Sequence, residues 1–270
     1  MRINHNLMAM NSHRQLGINN NATSKSLEKL SSGHRINRAG DDAAGLSISE
    51  KMRGQIRGLN QASSNAQDGI SLIQTAEGAL NESHAILQRM RELSVQAASD
   101  TNEEADRDAI VDEVNALKEE LTRIGESTQF NKKDLLTGSL KGAIIHIGAN
   151  KGENVSLSIG NMTASGLGLK DITVSTQSGA DAAIATIDAA IEKLSGERSG
   201  LGALQNRLEH TIKNLDNASE NLQSSESRIR DVDMAEEMMS FTKNNILSQA
   251  AQAMLAQANQ QPQQVLQLLR

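Results

Sequence analysis

Apolar residues recur at intervals of seven along two long stretches of this 270-residue chain, and that spacing restricts the fold more than any other feature. In the first stretch Met52, Leu59, Ala66, Ile73, Leu80 and Leu87 keep the interval. The positions three later (Gln55, Ala62, Gly69, Ala76, Ser83 and Met90) are mostly small. In the second, Leu201, Leu208, Leu215, Leu222 and Ile229 keep it, with Leu204, Thr211, Ala218, Ser225 and Val232 three later. A third series, Ile110, Val114, Leu117, Leu121 and Ile124, steps by four and three. A repeat of seven marks helices that wind around one another, and small companions let their backbones approach closely. The spacing predicts helices over 43–98, 104–126 and 182–234. At 1.5 Å per residue the first is about 80 Å long.

Composition agrees with thin helical layers. The chain has two Phe, one Pro and no Trp, Tyr or Cys. Aromatic side chains dominate ordinary thick cores, and Pro breaks helices. Without Cys there is no disulfide framework and no Cys-based metal site. Asp41-Asp42 precede the first long helix, where carboxylates cap free N–H groups and meet the positive end of the dipole. Ser99 to Asn102 followed by Glu103-Glu104 end one helix and start the next. Over 127–181 the pattern changes: Ala143, Ile145 and Ile147 alternate with polar or opposite-facing residues, as do Val155, Leu157 and Ile159, around a Gly148–Glu153 turn. That is a β-hairpin signal, and Gly166, Gly168 and Gly179 read as loop positions.

The two ends are alike in kind. Residues 1–34 carry Ile3, Leu7, Met8, Met10, Leu16, Ile18, Leu27 and Leu30 among Asn and Ser. The last thirty residues carry Ile246, Leu247, Met254, Leu255, Val265, Leu266, Leu268 and Leu269, with Lys243 and Arg270 as their only ionisable side chains. Both ends read as helices too weakly apolar to stand alone in water. They need each other, or neighbours, to bury them.

Little in the chain suggests chemistry. The histidines (His5, His13, His34, His84, His146 and His210) share no metal-binding spacing, and no H-E-x-x-H occurs. Asp231, Asp233, Glu236 and Glu237 lack the spacing of a calcium loop. They read as charge partners of Arg228 and Arg230 at a helix junction. Gly196, Gly200 and Gly202 do not form a phosphate loop and read as close helix packing or a hinge. Residues 1–40 are basic, with six Lys or Arg against Glu28. They lack the clustering and aromatic interleaving of a nucleic-acid surface. No stretch nears the roughly 18 apolar residues of a membrane span. Residues 1–12 contain no apolar run suited to a signal-peptide core. The expectation is a non-enzymatic chain with no cofactor and no metal, cytosolic or leaving the cell without a cleaved signal.

Several ordered stretches resemble one known family. Leu30-Ser31-Ser32-Gly33, Arg35-Ile36-Asn37, Asp41 to Leu46, Leu87 to Leu93 and Thr128 to Asn131 closely resemble the N-terminal region of bacterial flagellins. Ala203 to Leu208, Glu226 to Asp233, Ala250 to Ala258 and Leu268-Leu269-Arg270 resemble the C-terminal region. The likeness is to a short, Bacillus-like form without large variable outer domains. It implies a mainly α fold: an elongated antiparallel helical bundle or coiled coil with a small β-hairpin region and paired terminal helices. It also implies an inner domain of 1–40 plus 236–270 and a long-helix rod of 41–235 with a β/loop region at 127–181. The implied function is a structural subunit of the flagellar filament, secreted through the flagellar type III apparatus and self-assembling into a helical tube for motility. The implied partners are further copies of itself, an export chaperone, the export apparatus, hook-associated and cap proteins, and the vertebrate flagellin-sensing Toll-like receptor. By the same resemblance Arg89, Leu93, Glu113, Gln88 and Glu92 fall on a surface where subunits or that receptor meet. Leu7, Leu27, Leu30, Ile246, Leu247, Met254, Leu255, Leu266 and Leu269 belong to the terminal assembly helices. A hook–filament junction protein would share the terminal helices, and an intracellular helical adaptor would share the heptads. The junction protein would differ in the stretches quoted, and the adaptor does not account for apolar, uncharged ends.

Overall fold

The structure, a computed structural model, describes residues 6–268, with side chains through residue 261. Ile3, His5 and Leu269, and the side chains of Val265, Leu266 and Leu268, lie outside it. The described elements are α1 (Leu7–Ser32), α2 (Ala43–Ala97), α3 (Glu104–Ser127), β1 (Gln129–Phe130), β2 (Lys133–Asp134), β3 (Ala143–His146), β4 (Asn154–Leu157), α4 (Gln177–Arg230) and α5 (Met234–Leu268). They form two compact units, residues 55–220 and residues 1–54 with 221–270.

In the 55–220 unit the heptad faces of α2 and α4 pack antiparallel. Asn60 meets Ser219, Ser63 meets Asp216 and Arg91 meets Asp188. Ile73, Leu80 and Leu87 of α2 and Ile187, Leu194, Leu201 and Leu208 of α4 are buried along the seam. Ile110, Val114 and Leu121 of α3 join the same core. The small companions matter here: a Cβ on Gly69 would lie 2.7 Å from Ile145 and 3.4 Å from Leu208. The β3–β4 hairpin is antiparallel in the register Ala143↔Leu157 to His146↔Asn154. Its turn rests on α2, where Asn65 Nδ2 donates to the His146 carbonyl at 3.1 Å. A second pair, β1–β2, is antiparallel as well. Asn131 and Lys132 both take positive φ, 49° and 63°, as a two-residue hairpin turn requires.

Helix α4 begins at Gln177, five residues before the periodicity alone places it. Thr176 caps it: its hydroxyl accepts from Gly179 N at 3.1 Å and its carbonyl from Ala180 N at 2.8 Å. Gly179 therefore lies in the first turn of a helix and not in a loop.

In the other unit α1 ends at Gly33, whose φ of 73° is the left-handed conformation that closes helices. Of the two expected capping carboxylates only Asp42 caps α2, its Oδ1 accepting from Gly45 N at 2.8 Å. Asp41 Oδ2 turns back and accepts from Arg38 N at 3.0 Å and Asn37 N at 3.2 Å. Those backbone donors hold the Asp41 carboxyl below its ordinary value. Helix α4 stops at Arg230, short of the 234 that its repeat suggests. Arg35 N donates to the Arg230 carbonyl, Val232 N to the Gly33 carbonyl, and His34 pairs with Asp231 in an isolated bridge. Asp233 then starts α5, its carboxylate accepting from Ala235 N at 2.9 Å. The junction acids do not pair with Arg228 and Arg230 as expected. Asp231 lies 3.0 Å from His34, Glu237 pairs with Lys29, and Arg230 reaches Glu50 at 2.7 Å.

Candidate functional site

The α1–α5 pair has the unusual distribution of side chains. The helices run antiparallel: Asn6 Nδ2 donates to the Ala258 carbonyl at 2.7 Å, Ser248 Oγ to Asn20 Oδ1 at 2.7 Å, and Lys29 lies 3.7 Å from Glu237. On α1 Ala9, Ser12, Leu16, Asn19, Thr23, Ser26 and Leu30 are covered, with Ala22, Glu28 and Lys29 beside them. On α5 Glu237, Phe241, Asn244, Ser248, Ala251, Leu255 and Ala258 are covered, with Ser240 beside them. The first-named series on each helix steps by three and four, so this is a heptad seam. It is filled largely by Ser, Asn, Ala and Thr.

The large apolar residues of these helices point elsewhere. Leu7 is 71% exposed and Ile246 is 60% exposed. Leu27, Leu247, Met254, Ile18 and Met239 are exposed too. Leu30 and Leu255 differ from that group, being half-buried on the seam. Large apolar side chains exposed in this number on one helix pair mark an interaction surface, and a seam of small and polar residues, its Lys29–Glu237 charges paired, allows close approach without stranding a buried ion.

A second patch lies on α2 and α3. Arg89 donates from Nε and Nη2 to Glu113 Oε1 at 3.0 and 2.9 Å and from Nη1 to Glu92 at 3.2 Å. Glu113 first, then Glu92, holds the guanidinium above its ordinary value. Gln88 is exposed beside them and bonds His84. Leu93 is not part of this surface. It is 2% exposed, in the core. The buried stripe of α2 widens through Met90, Leu93, Ser94 and Ala97 near α3, which takes Leu93 inward.

Three features carry no site. A Cβ on Gly196, Gly200 or Gly202 would meet nothing within 4 Å, so close packing within this chain does not explain them. Among the described residues no group of three or more His, Asp or Glu could hold a metal ion. Among the same residues no helix is long and apolar enough to cross a membrane.

Comparison with known proteins bears on this arrangement. The bacterial flagellin N-terminal helical region matches residues 3–141, and the bacterial flagellin C-terminal helical region matches residues 184–269. The chain is 63% identical over 274 residues to a flagellin of Halalkalibacterium halodurans, covering all of both chains. It is 55% identical over 304 residues to a flagellin of Bacillus subtilis, again covering all of both. Among solved structures, the crystal structure of Bacillus cereus flagellin aligns with a TM-score of 0.52 at 31% identity, covering 56% of this chain and 88% of that one.

Proposed function

The chain belongs to the bacterial flagellin family and is a structural subunit of the flagellar filament, not an enzyme, and from that premise we propose that the outward apolar face of α1 and α5 is its principal assembly surface. The observation that carries this reading is the inversion described above. The two helices meet through small and polar residues and leave Leu7, Leu27, Ile246, Leu247 and Met254 for a neighbour. Repeated head-to-tail contact of that kind builds an open helix of copies. The proposed domains are the terminal segments, 1–40 with 236–270, which make these contacts, and the long-helix segment 41–235 with the β/loop region of 127–181.

The finer partners follow from the same family. The subunit leaves the cell through the flagellar type III apparatus, held beforehand by an export chaperone on the C-terminal segment, and is placed under a cap beyond hook-associated proteins. The weak, polar α1–α5 seam supports this route, because such a pair opens at small cost. The exposed Arg89, Gln88, Glu92 and Glu113 patch is offered to neighbouring copies or to the vertebrate flagellin-sensing Toll-like receptor, without Leu93. Whole-chain identity to flagellins stands against the hook–filament junction reading.

The test is the pair Ile246→Asp and Leu247→Asp in the full chain, followed by circular dichroism and by electron microscopy after seeding. Both residues are exposed, so helix content should stay unchanged while filaments fail to form. Filaments of normal length from the double variant would refute the assembly-surface reading.

A further inference from the structure

Methionine is divided between the units in a way that packing alone does not explain. Met8 and Met10 of α1 and Met234, Met238, Met239 and Met254 of α5 are each 49% to 68% exposed. In the 55–220 unit Met90 and Met162 are at most 1% exposed. The chain has no Cys, Trp or Tyr. A peroxide that meets the free subunit therefore finds thioethers first, and finds them among the exposed apolar residues of α1 and α5.

We propose that this face is a peroxide-sensitive modification site, where conversion of the six exposed methionines to sulfoxide stops a free subunit from joining a filament while copies already assembled are protected. The proposal rests on the assembly-surface reading above. In the reaction the thioether sulfur attacks one peroxide oxygen and the O–O bond breaks. Sulfur keeps that oxygen as the sulfoxide, losing two electrons, and the other oxygen leaves as water. The product is a polar, chiral group on a previously apolar side chain. In an apolar contact it must be buried without a partner, which is unfavourable. Met234, Met238 and Met239 crowd the first turns of α5, so several sulfoxides fall within two turns of one helix. The change is reversible, because methionine sulfoxide reductases return the sulfur to the thioether.

The experiment uses the full chain as free subunit and as preformed filament, both treated with hydrogen peroxide. Peptide mass spectrometry locates each added oxygen, and seeded elongation is followed by electron microscopy. The expected result is oxidation of the six residues in the subunit ahead of Met90 and Met162, with helix content retained. Elongation should slow about ten-fold or more, the scale of one polar group buried without a partner, and recover after reductase treatment. In filaments the same six should resist. Oxidised subunits that elongate at an undiminished rate, with the six still protected in filaments, overturn the redox inference and leave the assembly surface standing. Equal oxidation of subunit and filament overturns both. Elongation that does not return on reduction places the damage elsewhere and also overturns the inference.

Discussion

The Ser248 hydroxyl donates to Asn20 Oδ1 at 2.7 Å, joining helices 228 residues apart in the chain. Ser248 holds a seam position where coiled helices ordinarily place leucine, and exposed Asn20 reaches it from beside the seam. The α1–α5 pair is thus aligned by hydrogen bonds and contains little buried apolar area. Net contributions of such bonds are about 0.5–1.5 kcal/mol each, so the pair should open far more often than the Ile73–Met90 core. In dilute subunit, amides of residues 7–32 and 234–261 should exchange with almost no protection, those of 73–90 slowly. Equal protection measured by hydrogen exchange would contradict this.

Glycine replacements separate crowded positions from open ones. A Cβ on Gly166 would sit 2.4 Å from the Asn161 carbonyl oxygen. Gly166→Ala should destabilise the 55–220 unit by about 1–3 kcal/mol through overpacking. A Cβ on Gly196 meets nothing within 4 Å, and Gly196→Ala should stabilise α4 by about 1 kcal/mol. Urea midpoints that move in the same direction for both would be inconsistent with the packing described.

The Arg89 cluster should matter to partners and not to folding. Its ion pairs are half exposed, and exposed pairs are worth about 0–1 kcal/mol. Arg89→Ala should leave the thermal midpoint nearly unchanged and weaken either lateral contacts in filaments or binding to the receptor ectodomain. Unaltered filaments together with unaltered receptor binding would remove the patch from the proposed interface.

Asp41 makes the 37–42 turn pH-sensitive. Its folded carboxyl lies below the ordinary value of 3.8 because Arg38 and Asn37 donate backbone N–H groups to it. A depressed carboxylate stabilises at pH above its unfolded value, and the contribution fades as pH falls through the folded value. Protection of the Asn37 and Arg38 amides should therefore persist at neutral pH, begin to fall only near pH 3.8 and be lost as the pH passes through the lower folded value. In Asp41→Asn the pH dependence should vanish, which amide exchange at successive pH values would reveal.

Helix α2 was legible almost to the residue, because Ala66, Ile73, Leu80 and Leu87 are apolar and its heptad runs without interruption. The seam of α1 and α5 was not, although it obeys the same spacing. Ala9, Ser12, Asn19, Thr23 and Ser26 carry too little hydrophobicity to show a face, while Leu7, Leu27 and Ile246, which do show one, are turned away from it. The start of α4 was hidden by Gly179, though Thr176 three residues earlier is a capping signal. Its end was overrun because Val232 falls in the repeat, yet Asp231 and Asp233 form the junction there. The β1–β2 pair was too short for alternation to register. Leu93 was misplaced because its side of α2 is decided by where α3 packs, which no local pattern records.

The β3–β4 turn closes on itself. Asn150 N and Nδ2 donate to the two Glu153 carboxylate oxygens at 2.9 and 3.1 Å, with Lys151 and Gly152 exposed between them. A foreign peptide spliced between Lys151 and Gly152 would enter at exposed positions, with Asn150 and Glu153 on either side of it. Every copy would carry the graft at one fixed address, which makes this corner a handle for epitope display or fluorescent tagging.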